Sequence, residues 1–174
     1  MRVVVLAALL TIGCGTITVG GDVRRRPTLP ELFHDGYIDL RNPVVVYVAG
    51  MYENPERVDA IRTGLDMWTQ ALRGVGIEPK FSTGACCNQW LQCVNVYVYP
   101  DLPPIAERLT PNVIVFDQWS SLNPTIFAHE FGHALGLGHA LEMPSIMYQD
   151  PWGLRSVTAD DARAVCRLQG LTCR

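Results

Sequence analysis

Residues 129–139 read HEFGHALGLGH and hold three of the four histidines in the chain. That spacing restricts the local backbone severely. His129 and His133 are four residues apart, so one helical turn puts both imidazoles on one face. Gly136 then lets the chain turn sharply, because glycine alone takes positive φ at low cost. The turn brings His139 back toward the first two. Such crowding of neutral nitrogen donors points to a zinc ion held by His129, His133 and His139.

Three protein ligands leave the fourth tetrahedral position open, as in catalytic rather than structural zinc sites. Zinc lowers the pKa of a bound water from about 15.7 to about 7, so a nucleophile exists at neutral pH. Glu130 projects beside the two histidines. It is the candidate general base and acid, taking the proton from that water and passing it to a leaving amine. The chemistry expected is hydrolysis of internal peptide bonds.

The full spacing H-E-x-x-H-x-x-G-x-x-H is far more specific than H-E-x-x-H alone. Through it the chain resembles the metzincin zinc endopeptidases. Pro144-Ser145-Ile146-Met147-Tyr148 resembles the Met-turn of that family, with Met147 as the methionine beneath the ligands. A soft, unbranched thioether suits an irregular gap under three imidazoles.

The resemblance narrows to the matrixin branch and covers most of the chain after Pro43. Val44 to Val48 reads as a first strand. Pro55 to Leu72 reads as an amphipathic helix, with Val58, Ile61, Leu65, Trp68 and Leu72 at helical spacing. Val94 to Tyr99 and Val113 to Asp117 read as strands. Asn123 is placed as the N-cap of the histidine helix, with Pro124 at its first position. Thr158-Ala159-Asp160-Asp161 caps a last helix that runs to about Leu168 before Gly170. The fold expected is an α/β (α+β) metzincin domain: a twisted mixed sheet, a long helix, the zinc-ligand helix, the Met-turn and a C-terminal helix. By the same resemblance, Tyr148 to Val157 would wall the S1′ pocket, with Tyr148, Pro151, Trp152 and Leu154 as lining candidates. An apolar residue after the scissile bond is then expected. Astacins and serralysins fit less well, since Gln149 stands where they carry a tyrosine and Ala140 where astacins carry glutamate.

Three departures from the matrixin pattern stand out. No PRCGxPD-like inhibitory segment precedes Pro43, and the one remaining histidine, His34, lies too far upstream for a second zinc site. The stretch Pro100 to Pro111 is short and proline-rich where the family has an edge strand and ion-binding loops. Residues Ile105 to Leu109 offer a shortened edge strand for a peptide substrate to pair with. Structural calcium at Asp117 rests on analogy alone.

With 174 residues and 48% apolar content, the chain suits one domain of roughly 130 residues behind a leader. The formal charge of −3 gives no sign of a nucleic-acid partner. Residues 1–14 read as an export signal: Arg2, an apolar run from Val3 to Ile12, then Gly13-Cys14. Leu10 to Cys14 resembles a bacterial lipobox, making Cys14 a candidate lipidation site; simple secretion is the other reading. Contact with a membrane would then come only through that anchor. Residues 15–42 read as a tether, with 43–174 as the catalytic domain, expected to be a monomer. Six cysteines agree with an oxidising, exported setting. Cys166 can pair with Cys173, and Cys93 with Cys86 or Cys87. Two other functions fit the histidine pattern: a zinc module that binds peptides without cutting them, and a deformylase-like amidase.

Overall fold

The strand Val44–Val48 (β1) is four-fifths valine, a β-branched side chain that favours extended backbone. Val44, Val46 and Val48 are fully buried, while Tyr47 on the alternate face is exposed. The chain crosses over through the helix Pro55–Gly74 (α1) to a three-residue strand, Phe81–Thr83 (β2), parallel to β1. The strand Gln92–Tyr99 (β3) pairs in parallel with the other side of β1. The strand Ala106–Thr110 (β4) runs antiparallel to Val113–Asp117 (β5), which itself lies parallel to β3. The order is β2-β1-β3-β5-β4. Four parallel strands therefore carry one antiparallel edge. The computed structural model describes residues 36–48, 54–84, 92–99, 112–141, 144–149 and 156–174, with the backbone of 106–110.

The long helix begins where expected. The Asn54 side chain accepts a hydrogen bond from Arg57 N at 3.1 Å, and Pro55 occupies the first turn, where its missing N–H costs nothing. Val58, Ile61, Leu65, Trp68 and Leu72 are all buried. The histidine helix Pro124–Ala134 (α2) packs against α1. Phe116 of β5 stacks on Phe127 of α2, Phe127 on Phe131, and Phe131 meets Phe81 of β2 edge-on with ring centroids 5.2 Å apart. Each large side chain buried this way contributes on the order of 2–3 kcal/mol. No periodic signal marks β2, because three residues are too few to show one. The shortened edge strand is present as β4, one residue later than expected and with a register irregularity between Arg108 and Thr110.

The last helix, Ala159–Gln169 (α3), opens with a reciprocal capping box between Thr158 and Asp161. A Cys166–Cys173 disulfide ties it to the tail, as expected. Arg174 N then donates to Val75 O, at the end of α1 (2.9 Å). Cys93 is also disulfide-bonded, with a partner outside the described residues. Packing starts earlier than the tether expected over residues 15–42. Ile38 and Leu40 are 1% and 7% exposed and belong to the core. Alternation turns both apolar side chains inward, and the distant amides of Gln92 and Gln169 bind the backbone of residues 38–40. Among the described residues no helix is long and apolar enough to cross a membrane. Cys14, Cys86, Cys87, Pro151, Trp152 and Leu154 lie outside the described residues.

Candidate metal centre

The histidine helix is set by its two ends. Asn123 Oδ1 accepts from Thr125 N at 2.9 Å and Ile126 N at 3.4 Å, and Pro124 takes the first position. At the other end, Gly136 N donates to His133 O (2.9 Å) and Leu137 N to Gly132 O (3.0 Å). These are the paired bonds of a Schellman motif. Gly136 has φ of 103°, a conformation that needs glycine. The helix therefore stops one residue after His133, and the chain doubles back to His139.

Two carbonyls orient the first two imidazoles. His129 Nδ1 lies 2.8 Å from Ile146 O, and His133 Nδ1 lies 2.7 Å from Leu137 O. A carbonyl oxygen can only accept, so both Nδ1 atoms carry hydrogen, and in the neutral rings both Nε2 atoms keep lone pairs. His133 Nε2 is 3.2 Å from His129 Nε2 and 3.2 Å from His139 Nε2. Lone pairs facing each other at that distance repel unless a cation lies among them. Two nitrogens on a tetrahedral zinc, each about 2.0–2.1 Å from it, stand about 3.3 Å apart. The donor set thus fits zinc in both chemistry and spacing. Among the described residues this is the one group of three such side chains that could share a metal. His129 is buried, His133 half-buried and His139 exposed, so the cluster opens to solvent on the side of His139. Glu130 follows His129 on α2 and is 4% exposed.

Beneath the cluster, residues 144–149 form a turn that α3 holds in place. Asp161 accepts from Ser145 Oγ through one carboxylate oxygen, and from Ile146 N at 3.2 Å through the other. Ser145 Oγ accepts from Met147 N at 2.9 Å. The carbonyl that orients His129 therefore belongs to a residue fixed by Asp161. Met147 O accepts from Ala140 N (2.7 Å), which ties the residue after His139 to the same turn. The Met147 thioether packs on α2 at Gly132. A Cβ at Gly132 would sit on Met147 Sδ and 2.9 Å from Trp68 Cζ2. Trp68 also donates from Nε1 to Ala128 O at 2.7 Å, bracing α2 just before His129. Tyr148 is half-buried at the end of this turn.

Asp117, where analogy suggested calcium, is 1% exposed. Its carboxylate accepts from Trp119 N (2.7 Å), Ser120 N (3.2 Å) and Ser120 Oγ. These partners are hydrogen-bond donors, whereas calcium takes six to eight oxygen ligands. Calcium finds no support there. Sequence reading placed Asp161 only as a helix cap, and missed its hold on the 144–149 turn. The signal was a second acidic residue after a capping threonine, which by itself says nothing about a partner 15 residues upstream.

Residues 110–170 match the family model of the matrixins, a peptidase family. The matched stretch holds β5, α2, the three histidines, the 144–149 turn and α3. The match supports a matrixin-like zinc metalloprotease domain, and the mixed α/β architecture is compatible with that fold.

Proposed function

We propose that this chain is a zinc-dependent metalloendopeptidase. The observation that carries the reading is the convergence of three imidazoles, with His133 Nε2 3.2 Å from the Nε2 of each of the other two, in a stretch that matches a peptidase family. His129, His133 and His139 would hold the ion. Zinc, when bound, supplies Lewis acidity that polarises a peptide carbonyl and acidifies water. Glu130 is then the proton carrier: it takes a proton from the attacking water and returns it to the amine that leaves. Met147 fills the floor and keeps the ligand helix at a fixed height over the turn. The substrate is a peptide or protein, lying along the β4 edge by strand addition. Tyr148, Pro151, Trp152 and Leu154 would favour an apolar side chain after the cut.

Residues 1–14 would direct export and the stretch between them and the core segment at Ile38 would lead into the catalytic domain, with Cys14 as the anchoring residue if the chain is lipidated. Detergent-phase partitioning of the full chain against Cys14→Ser tests the anchor; equal partitioning of both rejects it.

The central test is zinc content and cleavage of a broad peptide library by the full chain, beside Glu130→Ala. Internal cuts should disappear with a chelator. Glu130→Ala should keep its zinc and lose about 10²–10⁴-fold in turnover. Zinc with no cleavage by the parent protein would point instead to a peptide-binding module. A preference for charged residues after the cut would reject the apolar pocket.

A further inference from the structure

We infer that Gln169 is a positioning residue for the metal centre, acting through the carbonyl of Leu135 and the turn that follows it. The inference rests on the zinc reading above.

Gln169 ends α3 and is 2% exposed. Its side-chain amide makes three hydrogen bonds to two distant segments. Oε1 accepts from Leu40 N at 2.9 Å. Nε2 donates to Ile38 O at 2.8 Å and to Leu135 O at 3.1 Å. Leu135 is the C-cap of α2, where a carbonyl has no partner within the helix. Gln169 supplies that partner. The plane of the Leu135–Gly136 peptide is thereby fixed just before the backbone reverses at Gly136.

That reversal determines two ligands. Leu137 O, in the same turn, orients His133 through Nδ1 at 2.7 Å. His139 follows two residues later. The turn is also held from outside. Ile38 N donates to Ala134 O (2.8 Å), and a Cβ at Gly136 would lie 3.1 Å from Tyr37 Cβ and closer still to Leu168 Cδ2. The end of α3 and the segment before β1 thus clamp the turn. Groups that orient metal ligands at one remove typically change metal affinity about 10–100-fold when removed.

Gln169 could instead serve only to dock residues 38–40. Gln92 separates the two roles. Its amide binds the same segment, accepting from Asp39 N at 2.8 Å and donating to Asp39 O at 2.6 Å, yet it makes no such bond to α2 or the turn. The test compares Gln169→Met, which keeps length and volume, with Gln92→Met in the full-length protein. Zinc affinity is read by chelator competition, and folding by thermal melting without metal. Gln169→Met should weaken zinc binding on the order of 10-fold or more, with peptidase activity restored by excess zinc. Gln92→Met should change it by no more than about 2-fold while still lowering the melting temperature. Equal zinc affinities in the two variants would overturn the inference. If Gln169→Met does not fold, amide exchange in the unaltered protein decides. Zinc must slow exchange of the Gln169 Nε2 hydrogens, because coupling between the two is reciprocal; unchanged exchange refutes it. Failure of the unaltered protein to bind zinc at all would reject the zinc reading itself, a distinct result.

Discussion

Asp161 shows how one side chain serves several masters in this protein. Its carboxylate caps α3 through Thr158 N (2.9 Å) and Thr158 Oγ1 (2.8 Å), and the same group fixes Ser145 and Ile146. Asp161→Ala should therefore cost more than the roughly 1 kcal/mol of a lost cap. About 2–4 kcal/mol is expected, since buried donors are left without acceptors. Urea unfolding of the zinc-free protein measures it, and a loss near 1 kcal/mol would confine Asp161 to capping. Met147 makes the opposite prediction. Its thioether fills space against Gly132 and Trp68, so Met147→Leu should cost under about 1.5 kcal/mol and retain zinc. Loss of the metal in that variant would assign the sulfur a role beyond filling. At this scale the sequence disclosed the histidines, Glu130 and Met147 as candidates, because their types and spacing are local. It disclosed neither of the two groups that orient His129 and His133, because both are backbone carbonyls.

Among the elements, α2 depends most on its neighbours. Its histidine face can exist only if the helix stops at Ala134 and the chain reverses, and Gly136 permits both. Gly136→Ala should cost at least about 1–2 kcal/mol in backbone strain, with more from the approach of Leu168 and Tyr37. Zinc binding should weaken in parallel, which chelator competition would detect. Trp68→Phe keeps most of the apolar volume but removes the indole donor from Ala128 O, which still accepts its helical bond, so about 0.5–1.5 kcal/mol should be lost. The helices themselves were legible. Asn123 and Thr158 each cap the helix expected of them, since cap chemistry and apolar spacing are written within a few residues; Asn54 caps the first helix without having been singled out. The strand β2 was not, because its pairing with Val44–Val46 comes from what lies beside it rather than from its own three residues.

Over the whole molecule, the outer face of the sheet carries a tyrosine group. Burial raises the pKa of Tyr97, with further contributions from Tyr99 and Tyr47. A pKa raised on folding favours the neutral phenol in the native state. The associated stability is complete below about pH 10, the ordinary tyrosine value, and is lost as pH rises through the elevated one. Thermal melts between pH 8 and 11 should show this fall, and Tyr97→Phe should flatten it; identical profiles would exclude Tyr97 as the cause. Zinc acts on the same global equilibrium. Free zinc at about 1,000 times its dissociation constant should add about 4 kcal/mol, seen as a higher melting temperature that a chelator reverses.

Legible from residue types and spacing alone were the histidine cluster, the three helices, the caps Asn123 and Thr158, the valine strand and the Cys166–Cys173 staple. Each depends on residues within about ten positions, so local periodicity, cap chemistry and short loops suffice to specify it. Folding as a whole set the strand order β2-β1-β3-β5-β4, the packing of Ile38 and Leu40 into the core, and the carbonyls and amides that hold the histidines. Those contacts join residues as far apart as Ile38 and Gln169. No local pattern encodes them, because a buried amide finds its partners only after the chain has folded around it.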